Sequence, residues 1–330
     1  TGIYCTVAPG AGAGLQWTIV VSSQPSALST ASTRYISPAV ATVSTASTFP
    51  TATPGVTFTV TGTNFGPLGT AVSAAYAYQY SGGVINFAPT SCTVATANTK
   101  ITCTSAAGVG NKLRFQVSVA SQQSAFVSTS LRYASPTITG FTGANALSTQ
   151  GGTVFTINGA NFGPASPTTP TAVLFARFGP TANELNATSC SVASQTSMQC
   201  TSVVGVGSGH VWVVYIAGQL SPVSSATTSY AVPTCTTITA SAPISTPGGT
   251  QLTISGSCPV CRCQSLTVLA VLAGTQFGPA STDPVWTKLS ASVSATYGPS
   301  SPYTKYAATS CAVQGSGHNT LVCTSVPGVA

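Results

Sequence analysis

The chain has 330 residues, 43% of them apolar and only 3% charged, with nine Lys and Arg against two Asp and Glu for a net charge of +7. That is length for two to four domains and apolar content for packed cores, so disorder for want of hydrophobicity is excluded; soluble domains average about 25% charged residues, so something other than charge must hydrate this surface. Glu184 and Asp283 are the only carboxylates and His210 and His318 the only imidazoles, with no two of them within ten residues, which leaves carboxylate dyads, acid–base pairs and hard-metal sites almost no material.

Arg34, Lys100, Lys112, Arg114, Arg132, Arg177, Arg262, Lys288 and Lys305 are dispersed, unlike the clustered cations of a nucleic-acid surface. No run reaches the roughly 18 apolar residues of a membrane span. The expectation is a non-enzymatic chain with no cofactor, no metal, no nucleic-acid partner and no membrane span in this segment. It begins Thr-Gly-Ile-Tyr-Cys without a signal-peptide pattern, as a mature or truncated product does.

Taken in chain order, the predicted elements recur. QWTIVVS at 16–22 sets Trp17, Ile19 and Val21 at alternate places, the pattern of a strand with one buried face, and Tyr35 to Pro38 closes this first stretch. A strand TFTVTG then runs into GTNFGP at 62–67, followed by TSC at 90–92, CTS at 103–105, RFQVSVA at 114–120 and Tyr133 to Pro136. The order returns as VFTING, GANFGP at 159–164, TSC at 188–190, CTS at 200–202, VWVVYIA at 211–217 and Tyr230 to Pro233, and again as LTISG, GTQFGP at 274–279, TSC at 309–311 and CTS at 323–325.

The spacing is regular: Cys5 to Cys103 and Tyr35 to Tyr133 are each 98 residues, Cys103 to Cys200 and Tyr133 to Tyr230 each 97. A tandem array of about a hundred residues per module follows. Alternating strands, Gly and Pro punctuation and no helical stripe predict an all-β chain of immunoglobulin-like sandwiches. The expected divisions are the closing part of a module at 1–35, modules at 36–135 and 136–232, and an enlarged module at 233–330 that stops before its aromatic strand. In that last copy Cys323 follows Cys200 by 123 residues, and the main insert contains CPVC at 258–261 and LTVLAVLA. A catalytic loop is needed once, a shaping turn once per domain. The Gly-x-Asn-Phe-Gly segment reads as the corner leaving a core strand, its glycines and Asn permitting positive φ and its Phe plugging the core.

These residues resemble the IPT/TIG family of immunoglobulin-like modules: SPTITGF, QGGTVFTINGANFGP, the cysteine pair and YAVP fit it from 135 to 233, and 37 to 136 fits nearly as well. The family occurs in receptor ectodomains, some transcription factors, accessory domains of carbohydrate enzymes and long surface proteins. Among the last, the low charge and Ser/Thr/Pro richness make this chain similar to tandem-TIG proteins of extracellular fibres such as algal flagellar hairs, or mastigonemes.

Eleven cysteines are explained by the repeat. Cys92 with Cys103, Cys190 with Cys200 and Cys311 with Cys323 hold equivalent places and are expected to bridge neighbouring strands. Cys5 occupies the second position of such a pair, so its partner is expected upstream of residue 1. Cys235, Cys258, Cys261 and Cys263 remain for two further disulfides of undetermined pairing. A redox or zinc role for CPVC is the alternative, but no second CxxC or nearby His accompanies it and nothing helical follows. Disulfides imply an oxidising, extracellular setting.

Asn186-Ala187-Thr188 is the one N-glycosylation sequon, and PASPTTPTAV at 164–173, like SPYTK at 301–305, is the Ser/Thr/Pro type that carries O-linked sugar. The resemblance to algal fibre proteins adds hydroxylated, glycosylated Pro167 and Pro170, against an ordinary proline loop. Sugar would hydrate a surface short of charge, and low charge removes a barrier to self-association. Residues 1–35 could complete a neighbour's last module by strand addition; continuation of the polypeptide beyond both ends is the favoured reading. The expected function is a structural subunit of a glycosylated extracellular filament or flagellar hair whose partners are further copies of itself. The rival is a cell-surface adhesin or receptor-type stalk using the modules as spacers. A third reading, the accessory region of a secreted carbohydrate enzyme, needs a catalytic domain elsewhere.

Overall fold

The computed structural model describes residues 2–52, 55–166, 168–240, 247–249, 251–255, 273–297, 306–315 and 318–326. It opens with a two-stranded hairpin, β1 (Val20–Val21) and β2 (Gln24–Pro25), turned by Ser22 and Ser23 with φ of 46° and 67°. That double left-handed turn matches strand twist, and it recurs at Ala120-Ser121 and Ala217-Gly218.

The first complete sandwich uses β3 (Ala39–Thr45), β4 (Thr57–Thr63), β5 (Val72–Tyr80), β6 (Gly83–Phe87), β7 (Ser91–Thr96), β8 (Lys100–Thr104), β9 (Arg114–Val119), β10 (Gln122–Gln123) and β11 (Val127–Ser128). One sheet runs β3-β4-β8-β7 and the other β10-β9-β5-β6, with β11 also on β9. Alternation decides which side chains meet between them: Phe58 and Val60 of β4, Tyr76 of β5, and Phe115 and Val117 of β9 are buried. Phe58 lies edge-on to Phe115 at 5.9 Å and to Tyr76 at 6.2 Å, an arrangement aromatic quadrupoles favour.

The second complete sandwich repeats the plan with β12 (Thr137–Thr142), β13 (Val154–Ala160), a 3₁₀ turn at Thr171–Val173, β14 (Leu174–Gly179), β15 (Leu185–Asn186), β16 (Thr188–Ser194), β17 (Ser197–Thr201), β18 (Val211–Ile216) and β19 (Gln219–Leu220). Its sheets run β12-β13-β17-β16 and β15-β14-β18-β19, and Trp212 at their centre stacks on Phe178 at 4.1 Å and meets Phe155 at 5.2 Å. The last sandwich has β20 (Thr234–Ala240), β21 (Gln251–Ser255), β22 (Ala273–Thr275), α1 (Val285–Lys288), β23 (Thr296–Tyr297), β24 (Tyr306–Ala307), β25 (Thr309–Gln314) and β26 (Thr320–Thr324). Its sheet runs β21-β20-β22-β26-β25 over a small core of Val313, Leu321 and Cys323. Of LTVLAVLA only Ala273 lies within the described residues.

Each Tyr-x-x-Pro is tied back by one recurring bond, in the opening segment as in the two complete sandwiches. The hydroxyl of Tyr35 donates to the Ala8 carbonyl at 2.6 Å, Tyr133 to Ala106 at 3.1 Å and Tyr230 to Val203 at 2.8 Å. Gly10, Gly108 and Gly205 lie under the rings, where a Cβ would come within 2.6, 2.5 and 2.3 Å of tyrosine atoms, so only glycine fits.

The expected buried face of residues 16–22 is not formed. Trp17, Ile19 and Val21 are 41%, 47% and 63% exposed, whereas their equivalents in the complete sandwiches, Phe115, Val117 and Val119 in the first and Trp212, Val214 and Ile216 in the second, are buried. No described sheet packs against this segment. Its local bonds persist all the same: Trp17 Nε1 donates to Thr33 Oγ1 at 3.0 Å just as Trp212 Nε1 donates to Thr228 Oγ1 at 2.8 Å.

Candidate functional site at the module joints

The repeated Gly-x-Asn-Phe-Gly segment is a corner inside one sandwich and the seat of the joint to the one before. Phe65 and Phe162 are fully buried plugs. Asn64, Asn161 and Gln276 take φ of 62°, 64° and 66°, and the second glycines, Gly66, Gly163 and Gly278, φ of 79°, 90° and 98°. The first glycines differ from the expectation: Gly62 and Gly159 are not left-handed, and are required because a Cβ would stand 2.0 Å from a carbonyl oxygen of the neighbouring strand and 2.5 Å from the Phe ring.

The second glycines meet the preceding unit. A Cβ on Gly66 would lie 3.1 Å from Ala11 Cβ, on Gly163 2.1 Å from Val109 Cγ1, and on Gly278 2.3 Å from Val206 Cγ1. Ala11, Val109 and Val206 are themselves spaced by 98 and 97 residues. The same apolar knob therefore enters the same glycine hole at three successive joints.

Polar contacts surround the knob. The corner amides of Asn64 and Asn161 donate to the Ser37 and Ser135 carbonyls at 3.2 and 2.9 Å, fixing the linker between units. Buried Thr51 hydrogen-bonds Asn161 at 3.4 Å and accepts from Gln195. Its equivalent Thr149 donates through both its N–H and its hydroxyl to Gln276 Oε1, at 2.7 and 3.0 Å. With that hydroxyl proton committed, His318 Nδ1 must be the donor in its 2.8 Å bond to Thr149 Oγ1.

From the other side, Gln122 Nε2 donates to the Tyr35 carbonyl at 2.9 Å, and Gln219 Nε2 to the Tyr133 carbonyl at 2.8 Å and Ser135 Oγ at 3.1 Å. Asn111 Nδ2 donates to Gly218 at 2.7 Å. Tyr78 packs on Gly218 beside Tyr215 of the next sandwich, its phenol pKa raised by burial first and by that neighbour second. The last joint adds α1, whose Val285, with Leu289 just beyond it, joins the buried cluster containing Val206.

These contacts resist bending between units, because buried polar groups left unpaired by an opened joint are costly. Gln122, Gln219, Thr51 and Thr149, the groups that carry this resistance, escaped the sequence reading. The signal was present in their 97- and 98-residue recurrence, but polar residues are unremarkable in a chain this rich in them.

The cysteines expected in equivalent places are joined: Cys92 to Cys103, Cys190 to Cys200 and Cys311 to Cys323, each tying the two neighbouring strands of one sheet. Cys5 is exposed and unpaired among the described residues. Cys235 lies on β20, whose side chains are not described, and Cys258, Cys261 and Cys263 lie outside the described residues. Asn186 is exposed on the edge strand β15. Pro170 precedes the 3₁₀ turn, half-buried, and Pro167 lies outside the described residues.

Titratable groups are scattered as well. Partial burial works to raise the Glu184 carboxyl, but the Thr181 hydroxyl first and then the N–H groups of Asn183 and Thr181 donate to it and hold it below the usual range. His210 is 2% exposed, packed edge-on to Phe178 and Tyr230, with Nε2 at 3.0 Å from the Val206 carbonyl and Nδ1 without a partner among the described residues. Burial lowers its pKa, outweighing the carbonyls of Val206 and Gly207 and the charge of Glu184. No cluster of three His, Cys, Asp or Glu occurs among the described residues.

No curated protein matches the chain. Among solved structures it is similar to SGBP-B from a xyloglucan utilization locus of Bacteroides uniformis, at 15% identity and TM-score 0.23, covering 68% of this chain and 58% of that one. It is also similar to the Escherichia coli adhesin FdeC, at 12% identity and TM-score 0.24 over 90% and 92% of the two chains, and to a marsupial T cell receptor, at 9% and 0.23 over 89% and 94%. Residues 38–133 match the IPT/TIG domain family, and the chain is an all-β tandem of immunoglobulin-like sandwiches.

Proposed function

We propose that the chain is a structural subunit of a glycosylated extracellular filament, of which a flagellar hair is one form, built by self-association of tandem TIG sandwiches. The observation that carries this reading is the joint: one knob, one glycine hole and one set of buried amide bonds recur at the period of the sequence. A joint so repeated suits a rod of constant geometry. Three disulfides fit an oxidising, extracellular compartment. With two carboxylates and nine cations in 330 residues, little electrostatic repulsion opposes lateral packing. Exposed Leu68, Val154, Leu220 and Val223, each more than half accessible, give copies apolar surface to share.

An adhesin or receptor-type stalk needs the same stiffness but no contacts between copies, so sedimentation velocity over a concentration series separates the two. The filament reading predicts growth into large species that 0.5 M salt does not dissolve, because so few charges are involved. A single monomeric species at every concentration would overturn it in favour of the stalk.

A further inference from the structure

In the second complete sandwich, Leu185 pairs with Phe178 and both face the core. The adjacent pair, Asn186 opposite Arg177, therefore faces outward, as does Phe175 with its partner Tyr215. The Arg177 guanidinium lies 4.7 Å over the Phe175 ring, and that ring stacks on Tyr215 at 4.5 Å and 4°. Asn186 is exposed, and its amide makes no hydrogen bond among the described residues. It is also the acceptor of the chain's one sequon.

We propose that the first N-acetylglucosamine of a glycan on Asn186 docks on the Arg177–Phe175–Tyr215 stack; this rests on the glycosylated reading above. In attachment, the Asn186 amide nitrogen bonds to the anomeric carbon of a lipid-pyrophosphate-linked oligosaccharide. The lipid pyrophosphate leaves with the electron pair and the amide gives up one proton. Opposed residues in an antiparallel pair have Cβ atoms about 5 Å apart, so the first sugar emerges beside the guanidinium. The planar N–H fork of Arg177 matches the acetamido carbonyl and hydroxyls. Its seat on Phe175 holds that fork in place, so little side-chain freedom is lost on contact. The C–H face of the sugar covers ring edges of Phe175 and Tyr215. Because β15 is a two-residue edge strand, a sugar held there also shields that sheet edge from pairing with other chains.

The test uses the full chain secreted from a eukaryotic cell line. Peptide mapping measures occupancy at Asn186, and the rate of glycan release by a peptide amidase is measured on native protein relative to denatured protein. Docking predicts native release about tenfold slower in the wild type than in Arg177→Ala, with circular dichroism unchanged, and an intermediate rate in Arg177→Lys, which also serves if the alanine variant is not secreted. An occupied Asn186 released equally fast in wild type and variants overturns the docking and leaves the glycoprotein reading standing. An unmodified Asn186 overturns the docking and, with it, the N-glycosylated reading of this sequon.

Discussion

Gly163→Ala is the sharpest probe of the joint. The residue sits at φ of 90°, and the new methyl would come 2.1 Å from Val109 Cγ1 in the preceding sandwich. A left-handed backbone costs a non-glycine residue about 1–2 kcal/mol. Pushing the stiff Val109 off its rotamer adds about 1 kcal/mol. The sum, about 2–3 kcal/mol, accelerates local opening of the joint about 30- to 150-fold, since 1.4 kcal/mol is tenfold. Hydrogen exchange followed by mass spectrometry on peptides spanning residues 105–113 and 161–170 reads that opening, while peptides from the sheet β3-β4-β8-β7 report on the sandwich itself. Val109→Ala alone removes two buried methyl groups, about 1.6 kcal/mol. In the double variant the clash vanishes and the backbone strain remains, so the two changes fall short of additivity by about 1 kcal/mol. Unchanged exchange in Gly163→Ala, or strict additivity with Val109→Ala, would refute the knob and hole.

Gln219→Ala leaves the buried Tyr133 carbonyl without its donor and opens the same joint by about 1–3 kcal/mol, read by exchange in the 131–137 segment. Replacing both Cys190 and Cys200 by Ser releases a loop of sequence separation 10, about 2.7 kcal/mol of chain entropy; the calorimetric transition of that sandwich falls by about 10–20 °C. His210, buried with a lowered pKa, binds its proton less readily folded than unfolded, where its pKa is near 6.5. The unfolded state takes up more protons between the lowered value and about 6.5, so stability is full above that window and is lost as pH falls through it. Urea midpoints at pH 8 and pH 5 should separate in the wild type more than in His210→Leu, Leu113 being the residue at the equivalent place in the preceding sandwich.

The sandwich architecture was readable because its determinants are periodic: Phe115, Val117 and Val119 alternate, and alternation alone says which face is buried. The closing tyrosines were conspicuous, but their hydroxyl bonds to Ala8, Ala106 and Val203 were not, since the acceptors are backbone carbonyls with no sequence mark. The corner was legible as a turn and opaque as a joint. Its first glycine answers to a carbonyl across the strand and its second to a residue 54 to 72 positions earlier, distances over which only the fold decides what meets. Trp17 shows the reverse limit: its pattern was that of a core residue, yet burial depends on a sheet facing it.

Electron microscopy of the native material under non-reducing conditions tests the filament account most directly. The account predicts continuous unbranched fibres made of this chain, with an axial repeat of a few sandwich lengths. Isolated beaded chains that never associate would contradict it.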